Sequence, residues 1–369
     1  MKAKIFNYRT IFFLIGFAML SIMICKLGVQ TIFENIAKTK WWFLAIIGLW
    51  LIIYLLNALA WYYIIGKEKK KIGFKRILKY TISGFAINYI TPLVSLGGEP
   101  YKVLELNKHI EKNHSIATVI SYNMMHIFSH FFFWLTAVIV LLIKLELKST
   151  HIIYLVIALF ICLSVIYLFY AAYKKGIVNT AISLLAKLYF ARLLVKNIKD
   201  KKDLLKNVDE HIISLHSNRI KDFYKILFLE YLARIIGCFE FYFILKAILT
   251  DISFYEAFLI SAGSSLFANL FFFIPMQIGS RESGFFLVFE SLKLSPAIGV
   301  YVSLVTRIRE FFWILIGLIL IKIKPKQNII TFENTVCQPF FKKKQFFMVI
   351  ERQNVKILQY PYSQITLFW

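Results

Sequence analysis

Cysteine, proline and acidic side chains are all scarce in this 369-residue chain: 4 Cys, 7 Pro, and 20 Asp plus Glu against 44 Lys plus Arg. Cys25, Cys162, Cys238 and Cys337 are scattered, three of them inside apolar runs. They give neither a disulfide framework nor a paired-ligand metal spacing, and they read as small core residues. The phosphate-binding glycine loop, the dinucleotide fingerprint, the serine elbow and the zinc-protease helix motif do not occur, so nothing supports catalysis of the soluble type and no cofactor is expected. The shortage of acids leaves a formal charge of +24. With 59% hydrophobic and 17% aromatic residues beside it, this excess does not point to a nucleic-acid partner. It reads as the Lys/Arg bias of cytoplasmic loops, which also attracts anionic lipid headgroups.

Long apolar runs are what the sequence has in abundance. A hydrocarbon core about 30 Å thick takes roughly 20 apolar residues in helical form. Residues 10–27, 41–66, 117–143, 151–173, 223–249 and 298–323 meet that length. Unbroken runs exclude the alternation of a membrane barrel, so the expected fold is an all-α, polytopic helical bundle. The first run has no small-x-small cleavage pattern before Lys26 and is read as a retained span. The spans comprise residues 1–326; residues 327–369, which include PFFKKKQFF, form a separate basic-aromatic tail.

Basic residues orient the spans. Residues 67–79 (KEKKKIGFKRILK) are strongly cationic, and residues 174–225 carry twelve basic against five acidic side chains. Both are placed in the cytoplasm, with both termini, in a cytoplasmic membrane. Two full crossings between these loops already satisfy parity. Residues 78–96 therefore read as a segment that dips into the membrane and returns, broken at Pro92, Gly97 and Gly98. Irregular backbone at that depth must be buried in protein or line a wet cavity. A second broken segment, residues 269–289, holds Pro275, Gly279 and Glu282, and both Pro-to-Glu separations are seven residues. Its surroundings put it in the opposite orientation. Two interrupted segments in two halves are the pattern of an inverted-repeat transporter with a site near mid-bilayer.

The candidate substrate-binding residues follow. Gly97 and Gly98 allow positive φ or close backbone approach. The helix starting near Glu99 and Pro100 presents free amides suited to a phosphate. Lys102 adds charge, and Glu99 suits a cationic group or that lysine. Ionisable residues inside spans are costly and mark function. Asn123, His126 and His130 recur at helical spacing, while Glu230–Arg234 and Arg307–Glu310 are spaced for pairing within a helix. Arg281 and Glu282 sit in the second broken segment. His126 and His130 lack the companions of a metal site.

GGEPYK (residues 97–102), IPMQIGSRESG (residues 274–284) and Arg307 resemble the flippase-like transmembrane family named for lysylphosphatidylglycerol synthase, over roughly residues 4–326. The family's Glu-Arg pair after GGEP is replaced here by Tyr122, Asn123 and His126. The soluble aminoacyl-transferase domain does not appear in the sequence. The resemblance implies translocation of a modified phospholipid or lipid-linked headgroup across the membrane. Two other readings stay open: a membrane-embedded enzyme using Glu99, Glu282, His126 or His130 as acid or base, and an accessory subunit. Association of two copies is a further possibility.

Overall fold

Apolar runs of this length have only one way to satisfy their backbone away from water, the intrahelical ladder. The computed structural model describes residues 21, 29–91, 97–144, 149–176, 202–249, 251–271, 280–323, 346–351 and 354–359. Eleven helices in these residues are α1 (Val29–Thr39), α2 (Trp42–Ile65), α3 (Phe74–Ile90), α4 (Gly98–Leu106), α5 (Lys112–Lys144), α6 (Ser149–Lys175), α7 (Lys202–Ser217), α8 (Ile220–Lys246), α9 (Phe254–Leu270), α10 (Ser280–Ser291) and α11 (Pro296–Lys322). A 3-10 turn and one further helical turn continue α2 to Ile72. Two compact units divide at Ile323. Among the described residues, the second holds one antiparallel hairpin, Phe346–Glu351 on Asn354–Gln359. The regular structure of the first unit, among the described residues, is helical throughout.

Five of the six sequence-predicted spans coincide with α2, α5, α6, α8 and α11 to within a few residues. The sixth, residues 10–27, lies almost wholly outside the described residues. By length and apolar composition alone, Trp42–Ile72, Lys112–Ile143 and Ile152–Lys174 are able to cross a membrane. Helices α8 and α11 match them in length, at 27 residues or about 40 Å. They differ in carrying buried charges, Glu230 and Glu240 on one and Arg307, Arg309 and Glu310 on the other. This is a multi-pass, membrane-embedded helical bundle.

Two pairs of helices double back on themselves. Gly98 lies against Asn88, Lys102 against Gly84, and His109 against Tyr80. Positions rise along α4 as they fall along α3, so the pair is antiparallel and the chain reverses between them. At nine residues, α4 is about 13 Å long, far short of a membrane crossing. In α9 and α10, Gly263 meets Val288 and Gly284 meets Phe267, a second antiparallel hairpin. Helix α9 starts with a capping box: Ser253 N–H donates to Glu256 (2.9 Å) and Glu256 N–H to Ser253 Oγ (3.4 Å).

The first hairpin shows why glycine stands where it does. The expectation of positive φ in the GGEP stretch is corrected: Gly97 has φ −67°. Space is the constraint instead. A Cβ on Gly98 would sit 2.1 Å from the Gly84 carbonyl oxygen, and one on Gly97 2.2 Å from the Thr91 methyl. The two backbones touch, as small residues permit between membrane helices. Small residues act likewise where α11 crosses α3: a Cβ on Gly317 would lie 2.4 Å from Ala86 Cβ, and Ser83 Oγ donates to the Gly317 carbonyl at 3.2 Å.

Candidate functional site

Helices that bury charge must supply partners, and here the partners surround a hollow. A cavity of about 340 Å³ is enclosed by α2, α3, α5, α8, α9, α10 and α11. Glu230, Arg234, Arg309 and Glu310 stand near the middle of α8 and α11, while Glu240 lies toward the end of α8 and Arg281 at the start of α10.

One wall is an ion-pair network. Glu240 on α8 accepts two hydrogen bonds from Arg309 on α11, Nε at 2.8 Å and Nη2 at 3.2 Å. The Trp50 indole N–H from α2 gives the same carboxylate a third (2.8 Å), and its ring lies 3.7 Å beneath the Arg309 guanidinium. Beside it, Glu310 receives Arg281 Nη1 from α10 at 2.8 and 3.0 Å, the Tyr89 hydroxyl from α3, and Arg309 at 3.5 Å. Five elements are thus tied through charge-assisted bonds.

The opposite wall joins α5 to α8. His126 Nδ1 meets Glu230 Oε2 at 2.7 Å, and Arg234 donates to Ser129 Oγ at 2.8 Å and to the His126 carbonyl. The shortest contacts of these carboxylates run between helices. Glu230 reaches His126 on the neighbouring helix, and Glu310 is engaged by Arg281 and Arg309. In a low dielectric, a partner on another helix satisfies the charge while holding the bundle together.

Among the described residues, five buried polar atoms on this lining have no hydrogen-bond partner: Tyr54 OH, Asn57 Oδ1, His130 Nδ1, Glu230 Oε1 and Arg309 Nη1. Glu230 is 1% and Arg309 2% exposed. Such atoms are costly in a folded interior unless something polar answers them.

The sequence-predicted residues divide between two neighbourhoods. His126, His130, Arg281 and Glu310 line the cavity. Gly97, Gly98, Glu99, Lys102 and Asn123 form a separate clasp that closes the α3–α4 hairpin. There Gly98 N–H donates to Asn88 Oδ1 (2.6 Å), Asn88 Nδ2 to Glu99 (2.9 Å) and Lys102 to Glu99 (3.3 Å). The Asn123 side chain lies close to Glu99 as well. Two amides expected to await a phosphate are already engaged, since Gly97 N–H donates to Thr91 Oγ1 at 3.3 Å. Lys102 is buried with its ammonium over the Tyr122 and Trp61 rings, at 5.1 and 5.7 Å. Arg307 is buried on α11 but does not line the cavity. Gly279 and the side chain of Glu282 lie outside the described residues. Glu240, Arg309, Trp50, Tyr89, Tyr54 and Asn57 were not among the expected site residues. A mid-span charge was the available signal for the first two; nothing in the pattern marks the aromatic and amide residues.

A bundle of long apolar helices with two antiparallel helical hairpins and a charged cavity among them defines a multi-pass, membrane-embedded helical protein. Residues 10–317 match the family described as the lysylphosphatidylglycerol synthase TM region, and the chain belongs to that family. No curated protein and no solved structure matches it.

Proposed function

We propose that the chain binds a phospholipid or lipid-linked headgroup in this central cavity and moves it across the cytoplasmic membrane. The observation that carries the reading is the set of five unanswered polar atoms on one mid-span cavity. Donors (Arg309 Nη1, Tyr54 OH) and acceptors (Glu230 Oε1, Asn57 Oδ1) are both present, as a headgroup with phosphate and hydroxyl or amine groups requires. Membership of the family is consistent with a flippase-like role. On this reading the α3–α4 and α9–α10 hairpins are re-entrant and belong to two inverted halves, in which α2, α3–α4 and α5 correspond to α8, α9–α10 and α11. The glycine-lined contact in each hairpin supports that correspondence. Exposed Lys70 and Lys71 beyond α2 suit anionic headgroups at the cytoplasmic face.

Residues whose polar atoms lack protein partners give the cleanest test, because removing them leaves no charge stranded. In proteoliposomes carrying a fluorescent phospholipid, Tyr54→Phe and Asn57→Ala are expected to slow translocation about tenfold or more while thermal stability changes by less than about 1 kcal/mol. Translocation at the rate of the unmodified protein in both variants would remove the cavity as the headgroup site. The His126–Glu230 pair at 2.7 Å also favours a second reading, acid–base chemistry on a lipid-linked substrate. Turnover of such a substrate by the purified chain decides for it.

A further inference from the structure

Among the described residues, the fixed charges that line the cavity cancel. Its charged lining residues are Arg234, Arg281 and Arg309 against Glu230, Glu240 and Glu310. Among the described lining residues, only His126 and His130 ordinarily change charge near neutral pH. An anionic headgroup brought into this hollow therefore arrives with a charge that no fixed residue balances. A net charge in the middle of the bilayer is strongly unfavourable.

We propose, building on the headgroup reading above, that His126 takes up one proton when an anionic phospholipid headgroup binds, so that lipid and proton cross together without net charge. The proton balance is simple. Glu230 as a carboxylate accepts the His126 Nδ1–H at 2.7 Å, which fixes the tautomer and leaves Nε2 as the basic nitrogen. Among the described residues no hydrogen bond engages Nε2, and the side chain is 39% exposed although Glu230 is buried. Nε2 takes a proton from water in the cavity as the phosphodiester enters. The imidazolium then stands between two anions, the Glu230 carboxylate and the phosphate. When the headgroup leaves on the other side, the proton returns to water there.

Every wall contributes to the field at this site. From α5, the His130 ring is 5.4 Å and the Tyr122 ring 6.0 Å from the His126 ring. Helix α8 supplies Glu230, Arg234 and Glu240; α2 supplies Tyr54, α3 Tyr89, α10 Arg281, and α11 Arg309 with Glu310. Helix α9 offers only the neutral Ser261, Ser264 and Ser265 as polar groups. The Arg234 guanidinium faces the backbone carbonyl of His126 and Ser129 Oγ. An arriving phosphate adds a second anion beside the imidazole and favours its protonated form.

Isothermal titration of the detergent-purified full chain with dihexanoyl phosphatidylglycerol, in two buffers of different ionisation enthalpy at pH 7, counts the protons. Uptake of about one proton per lipid is expected. Dihexanoyl phosphatidylcholine, which carries no net charge, is expected to take up none. His126→Gln should bind phosphatidylglycerol without uptake. Phosphatidylglycerol binding with no proton uptake overturns the inference and leaves the headgroup reading standing, and full uptake by a folded His126→Gln removes it from this residue. Failure of both lipids to bind overturns the headgroup reading itself and this inference with it.

Discussion

Gly98 is the residue where a side chain has least room, and it predicts a contrast within one amino-acid type. In Gly98→Ala the new methyl collides with the Gly84 carbonyl, backbone that cannot step aside, and the cost is expected at about 1–3 kcal/mol. Gly48 in α2 has nothing within 4 Å of its would-be Cβ. There Gly48→Ala should be neutral or stabilising by up to about 1 kcal/mol from helix propensity. Thermal unfolding in detergent compares the two, and equal melting temperatures would contradict the packing argument. Glu240 tests charge in the same way. Glu240→Ala leaves Arg309 buried against Trp50 without its two carboxylate bonds and should cost about 3–5 kcal/mol. Charges inside spans could be picked out in the sequence as functional candidates, yet Glu230 and Glu310 found partners on other helices. Spacing along one helix says which groups can pair locally; it says nothing about a better-placed group across the interface.

At the scale of helices, the α3–α11 crossing rests on Ser83, Ala86 and Gly317. Gly317→Leu is expected to push α11 away from α3 and to lower stability by about 1–3 kcal/mol. Because Tyr89 on α3 and Glu310 on α11 meet in the cavity wall, it should also slow translocation without touching the lining. Span positions were legible to within a few residues, since apolar length alone sets them. The reversal after α3 was legible too, through its proline and glycines and the parity of the basic loops. Helix α7 was not anticipated: its pattern lies within a long basic stretch whose charge dominates the reading. It docks on α5 through His211 Nδ1 and Ser121 Oγ, 3.1 Å apart.

For the whole molecule, that docking carries a pH dependence outside the spans. Burial, then the neighbouring His114 and Arg219, hold His211 down to about 4 against an ordinary 6.5, partly offset by a hydrogen bond to the Ile64 backbone. A histidine kept neutral in the folded state binds fewer protons than when released. Stability of the α7 contact is therefore complete above about pH 6.5 and declines as pH falls toward 4. Hydrogen exchange along Lys202–Ser217 should speed up across that window, and His211→Gln should flatten the change; exchange independent of pH after correction for its intrinsic rate would refute it. The sequence by itself determined that the chain is a helical membrane protein, where its spans fall and where its backbone turns back, because those depend on apolar length and local backbone preferences. Only the tertiary structure decided that GGEP closes a hairpin while Trp50, Tyr54, Asn57, Glu240 and Arg309 face a common hollow. Which buried charge meets which partner depends on distances between helices, and neither composition nor periodicity encodes those directly.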